Sequence, residues 1–283
     1  MATGTLRGPD IGEMGRAGRR AGKSGVEVAA RVGYAARAAV YAVIGGLALM
    51  LAAGAGGRAT DSHGAVREVA NQPFGSVLLV LLGVGLLAFA VWRFVQSALD
   101  VERKGTSGKG LVARTMLGIS GVIHASLAVF AFNLLRGRGG GGGGNTRGMT
   151  AELMSKPFGQ VLVALVGVAV VGFAVYQFKQ AKSGKMLDKL SLTGVAARQR
   201  TWVERISRAG VAARAVVFLL VGTFFLQAAV QADPGEAGGL GEALEALASQ
   251  PFGPVLLGLV ALGLVAYAVY QLLEARYRRI ATP

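Results

Sequence analysis

The feature that most constrains this chain is a set of six long stretches without a charged side chain. They cover residues 38–57, 69–92, 115–135, 157–178, 215–232 and 246–273. The hydrocarbon core of a bilayer is about 30 Å thick and needs roughly 20 apolar residues in a helix. Continuous apolar runs also differ from the alternating pattern of a membrane β-barrel. The sequence therefore predicts an all-α, polytopic membrane protein with six transmembrane helices.

Composition agrees with this fold class and argues against several kinds of site. Charged residues make up 16% of the 283 residues, against about 25% in soluble domains. The chain has no cysteine and two histidines, which excludes disulfides and iron–sulfur clusters and argues against a structural zinc site. We therefore expect no metal and no cofactor.

The six spans form three pairs, and the second span of each pair begins with the same motif, P-F-G-x-V-L. Because proline lacks the N–H that a first helical turn leaves unpaired, each motif proline is predicted to lie in the first turn of a helix. The sequence thus predicts three tandem helical hairpins. The shared opening residues are Pro73, Phe74 and Gly75, then Pro157, Phe158 and Gly159, then Pro251, Phe252 and Gly253.

The first helix of each pair also repeats, but less faithfully in the middle copy. Residues 31–37 follow the pattern R-x-G-x-A-A-R, and this pattern recurs at 208–214. In the middle copy Arg114 keeps the first arginine, whereas Ser120 replaces the second. The middle repeat therefore departs from the other two at the position of the second arginine.

The repeats divide the chain into five segments. The linker before the third repeat is predicted either as a basic interfacial helix anchored by Trp202 or as a plain solvated segment. The predicted segments are a basic cytoplasmic N-terminal segment at 1–30, repeat 1 at 31–103 (helices about 36–57 and 75–96), repeat 2 at 111–185 (about 115–135 and 158–179), the linker at 186–207, and repeat 3 at 208–279 (about 212–232 and 253–274).

With these features the chain resembles a bacterial, largely actinobacterial, family of integral membrane proteins built from tandem two-helix domains of unknown function. The resemblance covers about residues 26–279. It rests on G-Y-A-A-R at 33–37, on Q-P-F-G at 72–75 and 250–253, and on the aromatic residues Trp92, Tyr176 and Tyr270 near the ends of the second helices. It implies a multi-pass membrane location and assigns no activity.

The charges are distributed unequally between the two sides of the predicted bundle. The side with both termini carries 24 basic and 8 acidic residues, a net +16, while the P-F-G side carries 6 basic and 7 acidic residues, a net −1. Positive charge in short loops stays cytoplasmic. We therefore predict a cell-membrane protein with both termini in the cytoplasm. The basic side should contact anionic lipid head groups rather than nucleic acid.

One face of the second helices shows the same order of residue types three times: small, aromatic, aromatic, then amide or acid. Residues at this spacing lie along one side of a helix, so the face is predicted to point inward, the alternative being a plain packing seam. Its members are Gly85, Phe89, Trp92 and Gln96 in repeat 1, Ala169, Phe173, Tyr176 and Gln180 in repeat 2, and Gly263, Tyr267, Tyr270 and Glu274 in repeat 3.

The few polar side chains near membrane depth are the candidate ligand contacts, because an ionisable residue inside a membrane is by default a functional hypothesis. Arg37 and Arg214 are predicted one turn inside the cytoplasmic starts of their helices. Arg214 is predicted to contact Glu274, with a weaker Arg37–Gln96 counterpart. His124 is predicted to be neutral and bonded to a neighbouring helix. The candidate lipid or partner contacts are Arg37, Tyr41, Gln96, His124, Gln180, Arg214 and Glu274.

Three classes of function fit these features. The first is a non-enzymatic scaffold, lipid-binding protein or accessory subunit, with a membrane-protein partner or a second copy of the chain as further candidate partners. The alternative is a transporter or channel for a small solute or ion, with polar residues lining a path. A lipid-modifying enzyme ranks last, because acids and bases do not converge in the spans.

Overall fold

A computed structural model describes residues 11–138, 146–193 and 195–281, and these residues form nine α-helices. Two short 3₁₀ turns and one isolated antiparallel bridge, between Leu190 and Arg278, complete the secondary structure of this part of the chain. The helices are α1 (Ile11–Ala52), α2 (Ser62–Ala70), α3 (Gly75–Leu99), α4 (Gly108–Leu135), α5 (Thr146–Met154), α6 (Gly159–Ser183), α7 (Ala197–Gln231), α8 (Leu240–Ala248) and α9 (Gly253–Tyr277).

Six of these helices are long and apolar enough to cross a membrane, namely α1, α3, α4, α6, α7 and α9. A helix satisfies its own backbone hydrogen bonds, so an apolar sequence of sufficient length can cross lipid in this form. The prediction of an all-α, six-helix membrane protein is confirmed. The short helices α2, α5 and α8 each precede a P-F-G motif.

The P-F-G motif forms the same tight turn in all three repeats. The phenylalanine has a left-handed backbone with φ 61° at Phe74, Phe158 and Phe252, and its side chain is exposed. The following glycine begins the long helix; a Cβ at Gly75 would overlap the carbonyl oxygen at the end of α2, and the equivalent glycines are constrained in the same way. Each proline therefore lies in this turn, before the long helix begins, and the prediction that it lies in the first helical turn is wrong.

The long helices are arranged so that neighbours come from different repeats as well as from the same one. In contact order they run α4, α3, α1, α9, α7, α6. The first helices of repeats 2 and 3 pack against the second helix of the preceding repeat, and α1 of repeat 1 packs in the same way against α9 of repeat 3. The three repeats therefore contact one another in cyclic order. Within a repeat, α1 packs on α3 and α7 on α9, whereas α4 and α6 have no extended contact. We call α1/α3 and α7/α9 the closed pairs and α4/α6 the open pair.

Small residues let the helices of the closed pairs approach. A Cβ at Gly33 would lie 2.6 Å from the Cα of Phe89, and a Cβ at Gly85 would lie 2.5 Å from the Cβ of Ala36. The third repeat has the same two constraints, since Gly210 faces the backbone of Tyr267 and Gly263 faces Ala213. Close backbone approach through small residues is a common way in which membrane helices associate.

The open pair has larger residues at the same positions. In the alignment of the repeats, Met116 stands where the closed pairs have Gly33 and Gly210, Ile119 stands at Ala36 and Ala213, and Ala169 stands at Gly85 and Gly263. All three side chains are exposed. The residues that would have to allow close approach are thus replaced on both helices, which explains why this pair does not close.

Two helices begin well before their predicted starts. Helix α1 is continuous from Ile11 and α7 from Ala197, rather than from about 36 and 212. The prediction followed the uncharged runs, but the basic turns before them contain no proline and continue the helix. Trp202 is accordingly an exposed residue of α7 rather than the anchor of a separate interfacial helix. Residues 1–10 of the predicted N-terminal segment lie outside the described residues.

Candidate functional site

Two arginines lie near mid-length of the long helices. Arg37 follows Ala36, which packs on Gly85, and Arg214 follows Ala213, which packs on Gly263. Each of these glycines is ten residues after the start of its helix, or about 15 Å along it. The prediction that both arginines lie one turn inside the cytoplasmic starts of their helices is therefore wrong, because α1 and α7 extend much further upstream.

Arg214 is buried and bonded to two neutral side chains from other helices. Its Nε donates to the Tyr41 hydroxyl at 2.9 Å, and Nη1 donates to Oε1 of Gln177 at 2.8 Å. The guanidinium carbon also lies 4.6 Å from the ring centre of Phe218 and 5.0 Å from that of Tyr267. Cation–π contacts of this kind stabilise a desolvated guanidinium, but they do not neutralise its charge.

Arg37 is enclosed mainly by aromatic rings. Its guanidinium carbon lies 5.3 Å from the ring centre of Phe89, 5.5 Å from that of Tyr267 and 5.7 Å from that of Tyr41. The side chain is only 6% exposed, and its Nε has no hydrogen-bond partner. The amide Nε2 of Gln177 also lacks a partner. Two buried donors in this region are therefore unsatisfied.

These groups form one cluster, which we call the arginine centre. It draws side chains from α1, α3, α6, α7 and α9, and His124 of α4 lies against its edge, with its ring 4.6 Å from that of Phe89. The members of the arginine centre are Arg37, Tyr41, Phe89, Phe173, Gln177, Arg214, Phe218 and Tyr267.

The arginine centre contains no carboxylate. No ion pair among the described residues includes Arg37 or Arg214. The predicted Arg214–Glu274 contact is wrong: Glu274 pairs with Arg278 and accepts a hydrogen bond from Gln271. Because Arg214 lies near mid-length and Glu274 near the end of α9, the two groups sit at different depths.

The other predicted polar contacts also have different partners. Gln96 accepts from Arg93 and donates to Glu102 rather than meeting Arg37. Gln180 donates to the hydroxyl of Tyr176 on its own helix. His124 donates from Nδ1 to the carbonyl oxygen of Ser120 at 2.7 Å, within α4 rather than to a neighbouring helix.

A second cluster lies at the end of the bundle that carries the C terminus. Glu102, before α4, accepts from Arg278 at 2.8 Å and from Lys189 at 2.9 Å, and it also pairs with Lys104 at 3.2 Å. The strand-like contact of the C terminus with the α6–α7 linker, through Ser191 N–H to the Tyr277 carbonyl, holds Arg278 in place. We call these residues, with Glu274, the terminal-side network.

The network fixes the charge of its central carboxylate. Burial raises the pKa of Glu102, but Lys189 and Arg278 outweigh it and hold that pKa well below the usual range. Burial, with Arg278 nearby, lowers the pKa of Lys189. The network therefore stabilises the charged form of Glu102, whereas it does not stabilise the charged form of Lys189. Glu102 precedes α4 and Lys189 follows α6, so the network joins the two helices of the open pair at this end.

The predicted inward face behaves differently in the three repeats. Phe89, Trp92 and Gln96, like Tyr267, Tyr270 and Glu274, are buried, whereas Phe173 is half-buried and Tyr176 is exposed. In repeat 2 the buried amide is Gln177, one residue after Tyr176. The sequence analysis missed Gln177, Arg93, Glu102 and Arg278. Glu102 is followed directly by two basic residues in the α3–α4 loop, and this is the one signal that could have pointed to it.

The arrangement is suited to binding an anion. Two guanidiniums and an amide supply donors, and Arg forms charge-assisted hydrogen bonds with carboxylate and phosphate. Within the described ranges no group of three His, Asp or Glu side chains could hold a metal ion. The chemistry at hand is thus recognition of a negative group in an apolar setting.

Comparisons with known proteins give the same architecture and no activity. The family described as Domain of Unknown Function (DUF1206) matches the chain three times, at residues 32–100, 116–184 and 209–278. The chain is also 34% identical over 252 residues to the uncharacterized protein YxxB of Bacillus subtilis (strain 168), covering 88% of this chain and 90% of the relative. No solved structure matches. The predicted resemblance to a family of tandem domains of unknown function is confirmed.

Proposed function

The chain belongs to the DUF1206 family, and we propose that it is a non-enzymatic lipid-binding membrane protein whose arginine centre holds the anionic group of a lipid. One observation carries this proposal: two buried guanidiniums lie near mid-length of a membrane bundle with no carboxylate among their partners. Charged side chains at such depth are rare, and they usually mark a functional path or site.

Magnitudes favour a missing anion over a purely structural role. Moving an ion out of water costs several kcal/mol even after relaxation. A cation–π contact returns about 0.5–2 kcal/mol, and a hydrogen bond to a charged group returns about 1.5–3 kcal/mol. These contributions roughly balance the penalty for Arg214, which has two hydrogen bonds. Arg37 has three ring contacts, but its Nε lacks a partner, so an anion that accepts from this Nε would stabilise the centre.

Native mass spectrometry of the protein purified in mild detergent tests the proposal. Wild-type protein is expected to retain an anionic lipid, and Arg37→Gln and Arg214→Gln are expected to lose it. Arg198→Gln is the matched control, because Arg198 lies on the same helix as Arg214 but is exposed. Equal lipid retention by all four folded proteins would overturn the proposal.

Transport of a small anion is the second candidate, because binding sites of secondary transporters lie near the bilayer midplane. Those sites usually involve broken helices, whereas all six long helices here continue through this depth. Flux of a small anion into proteoliposomes separates the two functions. Uptake that depends on Arg214 would favour transport over lipid binding.

We also propose that both termini face the cytoplasm in the cell membrane, on the strength of the charge difference between the two sides. The chain has no cysteine, so single cysteines report on topology. In intact cells an impermeant reagent is expected to label Gln250→Cys and to leave Ser183→Cys unlabelled. The reverse result would invert the orientation.

A further inference from the structure

We infer that the ligand of the arginine centre is an anionic amphiphile with one apolar chain, of the fatty-acid class, and that it enters from the bilayer between α4 and α6. This inference rests on the proposed function, and it specifies the ligand class and the path. The open pair supplies the path, since it is the one neighbouring pair of long helices in the described bundle without extended contact.

Residues at equivalent positions differ in exposure between the open pair and the closed pairs. Ile123 of α4 is 57% exposed, whereas its counterparts Val40 and Val217 are 3% and 1% exposed. On the facing helix Tyr176 is 56% exposed, whereas Trp92 and Tyr270 are 2% and 6% exposed. Surfaces that are sealed within repeats 1 and 3 are therefore accessible on both helices of repeat 2.

The opening joins an apolar surface to unsatisfied donors. Its walls carry Met116, Ile119 and Ile123 on α4 and Ala169 on α6, which suit a hydrocarbon chain. Behind them, Gln177 on α6 bonds Arg214 and keeps an unpartnered Nε2. A ligand that satisfies both surfaces must therefore be apolar along its length and anionic at its end.

The size of the opening favours a single chain with a small head. Five pairs of long helices are packed in the described bundle, and α4 and α6 are the pair without extended contact, so the opening lies between two single helices. Five aromatic rings enclose the guanidiniums. A carboxylate, which pairs with arginine through two oxygens, fits this enclosure better than a bulky head group.

The terminal-side network shows why access is lateral. The Glu102–Lys189 ion pair at 2.9 Å joins the loop before α4 to the loop after α6. It ties the open pair together at the end that carries the C terminus. Entry from the lipid is consistent with this closure, whereas entry along the bundle axis from that end is opposed by it.

A packed helix from a partner or from a second copy of the chain is a poorer occupant. An apolar helix would cover the walls of the opening, but it would leave the Nε of Arg37 and the Nε2 of Gln177 without acceptors. A buried donor without a partner costs about 1–3 kcal/mol. The charge behind the opening thus selects a small anionic head over an apolar helix.

Photolabelling of the purified full-length protein tests the inference. A fatty acid with a diazirine in its chain serves as the probe, with oleate and uncharged oleyl alcohol as competitors. We expect adducts on α4 and α6 facing the opening, and competition by oleate at a concentration at least about tenfold lower than by oleyl alcohol, as loss of one charge-assisted pair implies. Equal competition by the alcohol, or adducts spread over all lipid-facing helices, would overturn the inference.

Two variants separate the path from the site. Ala169→Phe adds bulk at the opening and is expected to weaken oleate competition at least about tenfold, while Leu259→Phe, on the exposed face of α9, should leave it unchanged. If Arg214→Gln abolishes labelling but Ala169→Phe has no effect, the path is wrong and the proposed function stands. If neither variant changes labelling, both fail; labelling of α4 and α6 that is blocked by a co-purified protein chain would favour a partner helix.

Discussion

Repeats 1 and 3 form closed helix pairs, whereas repeat 2, which has the same turn and the same order of helices, stays open. The difference lies in three seam positions, where glycine, alanine and glycine become Met116, Ile119 and Ala169. The same repeat also lacks the second arginine, since Ser120 stands in its place. All three repeats therefore keep the P-F-G turn, whereas the middle repeat has neither the small residues that bring its two helices together nor the second arginine.

This division separates two roles within one architecture. The closed pairs hold Arg37 and Arg214 in an aromatic enclosure, and the open pair gives that enclosure a route to the bilayer. At the end that carries the C terminus, the open pair is joined by charge instead of by close packing. Four changes test this comparison, beginning with the largest expected effect.

Gly33→Leu should disrupt a closed pair. Its Cβ would lie 2.6 Å from the backbone of Phe89, which cannot move as a flexible side chain can, so the free energy of unfolding should fall by about 3 kcal/mol or more. Unfolding in mixed SDS micelles measures it. The matched Met116→Leu change in the open pair should cost less than about 1.5 kcal/mol. Similar losses for both variants would contradict the distinction between closed and open pairs.

Glu102→Gln should weaken the charged link across the open pair. Removing one partner of a partly buried network is expected to lower the free energy of unfolding by about 2 kcal/mol at pH 7. Glu204→Gln, which removes only the exposed pair with Arg208, should change it by less than about 1 kcal/mol.

The pH dependence of this loss has a definite sign. Because the pKa of Glu102 is lowered in the folded state, its contribution is full above the ordinary glutamate pKa of about 4.3 and fades as the pH falls toward the folded value. The difference between wild type and Glu102→Gln should therefore be constant from pH 7 to about 5 and shrink below about 4. A difference that grows in acid would rule out this network as its source.

Arg37→Met should stabilise the lipid-free protein. Replacing a buried charge that has no carboxylate partner by an apolar side chain of similar length removes a desolvation penalty, and the free energy of unfolding should rise by about 1 kcal/mol. Oleate should raise the stability of wild type but not of this variant. Arg198→Met serves as the exposed control, and a clear loss of stability on Arg37→Met without lipid would mean that the guanidinium is already satisfied by the protein.

Restoring the seam should close the open pair with the smallest change in stability. Met116→Gly, Ile119→Ala and Ala169→Gly together recreate the residues of the closed pairs, and the gain in packing is offset by about 1 kcal/mol for each glycine placed in a helix. A cysteine at Ile123 reports the result. Labelling by a membrane-soluble maleimide should become slower in the restored background, and an unchanged rate would show that other residues keep α4 and α6 apart.

Much of the fold follows from local sequence because each membrane helix satisfies its own backbone hydrogen bonds. The six spans and the three repeats can both be recognised from consecutive residues. The backbone of the turn is less so: a left-handed phenylalanine is needed because the short helix approaches the glycine closely, and this contact moved the prolines out of the predicted first turn.

The arginine centre shows what local sequence does not contain. Tyr41 and Gln177 bond Arg214 from positions 173 and 37 residues away, and Arg278 reaches Glu102 across 176 residues. Arg37, Tyr41 and Arg214 were candidates because they are polar residues near membrane depth. Their partners depend on which helices are neighbours and on how far each helix extends.

The sequence by itself determined six membrane helices in three repeats, because apolar length and repeated motifs are properties of consecutive residues. Only the tertiary structure decided that α1 packs on α9, that α4 and α6 stay apart, and that two arginines share one aromatic enclosure. The physical reason is that each residue turns a side chain by about 100° around the helix axis, so a change of neighbour or of one position, as from Tyr176 to Gln177, selects a different group for the interior.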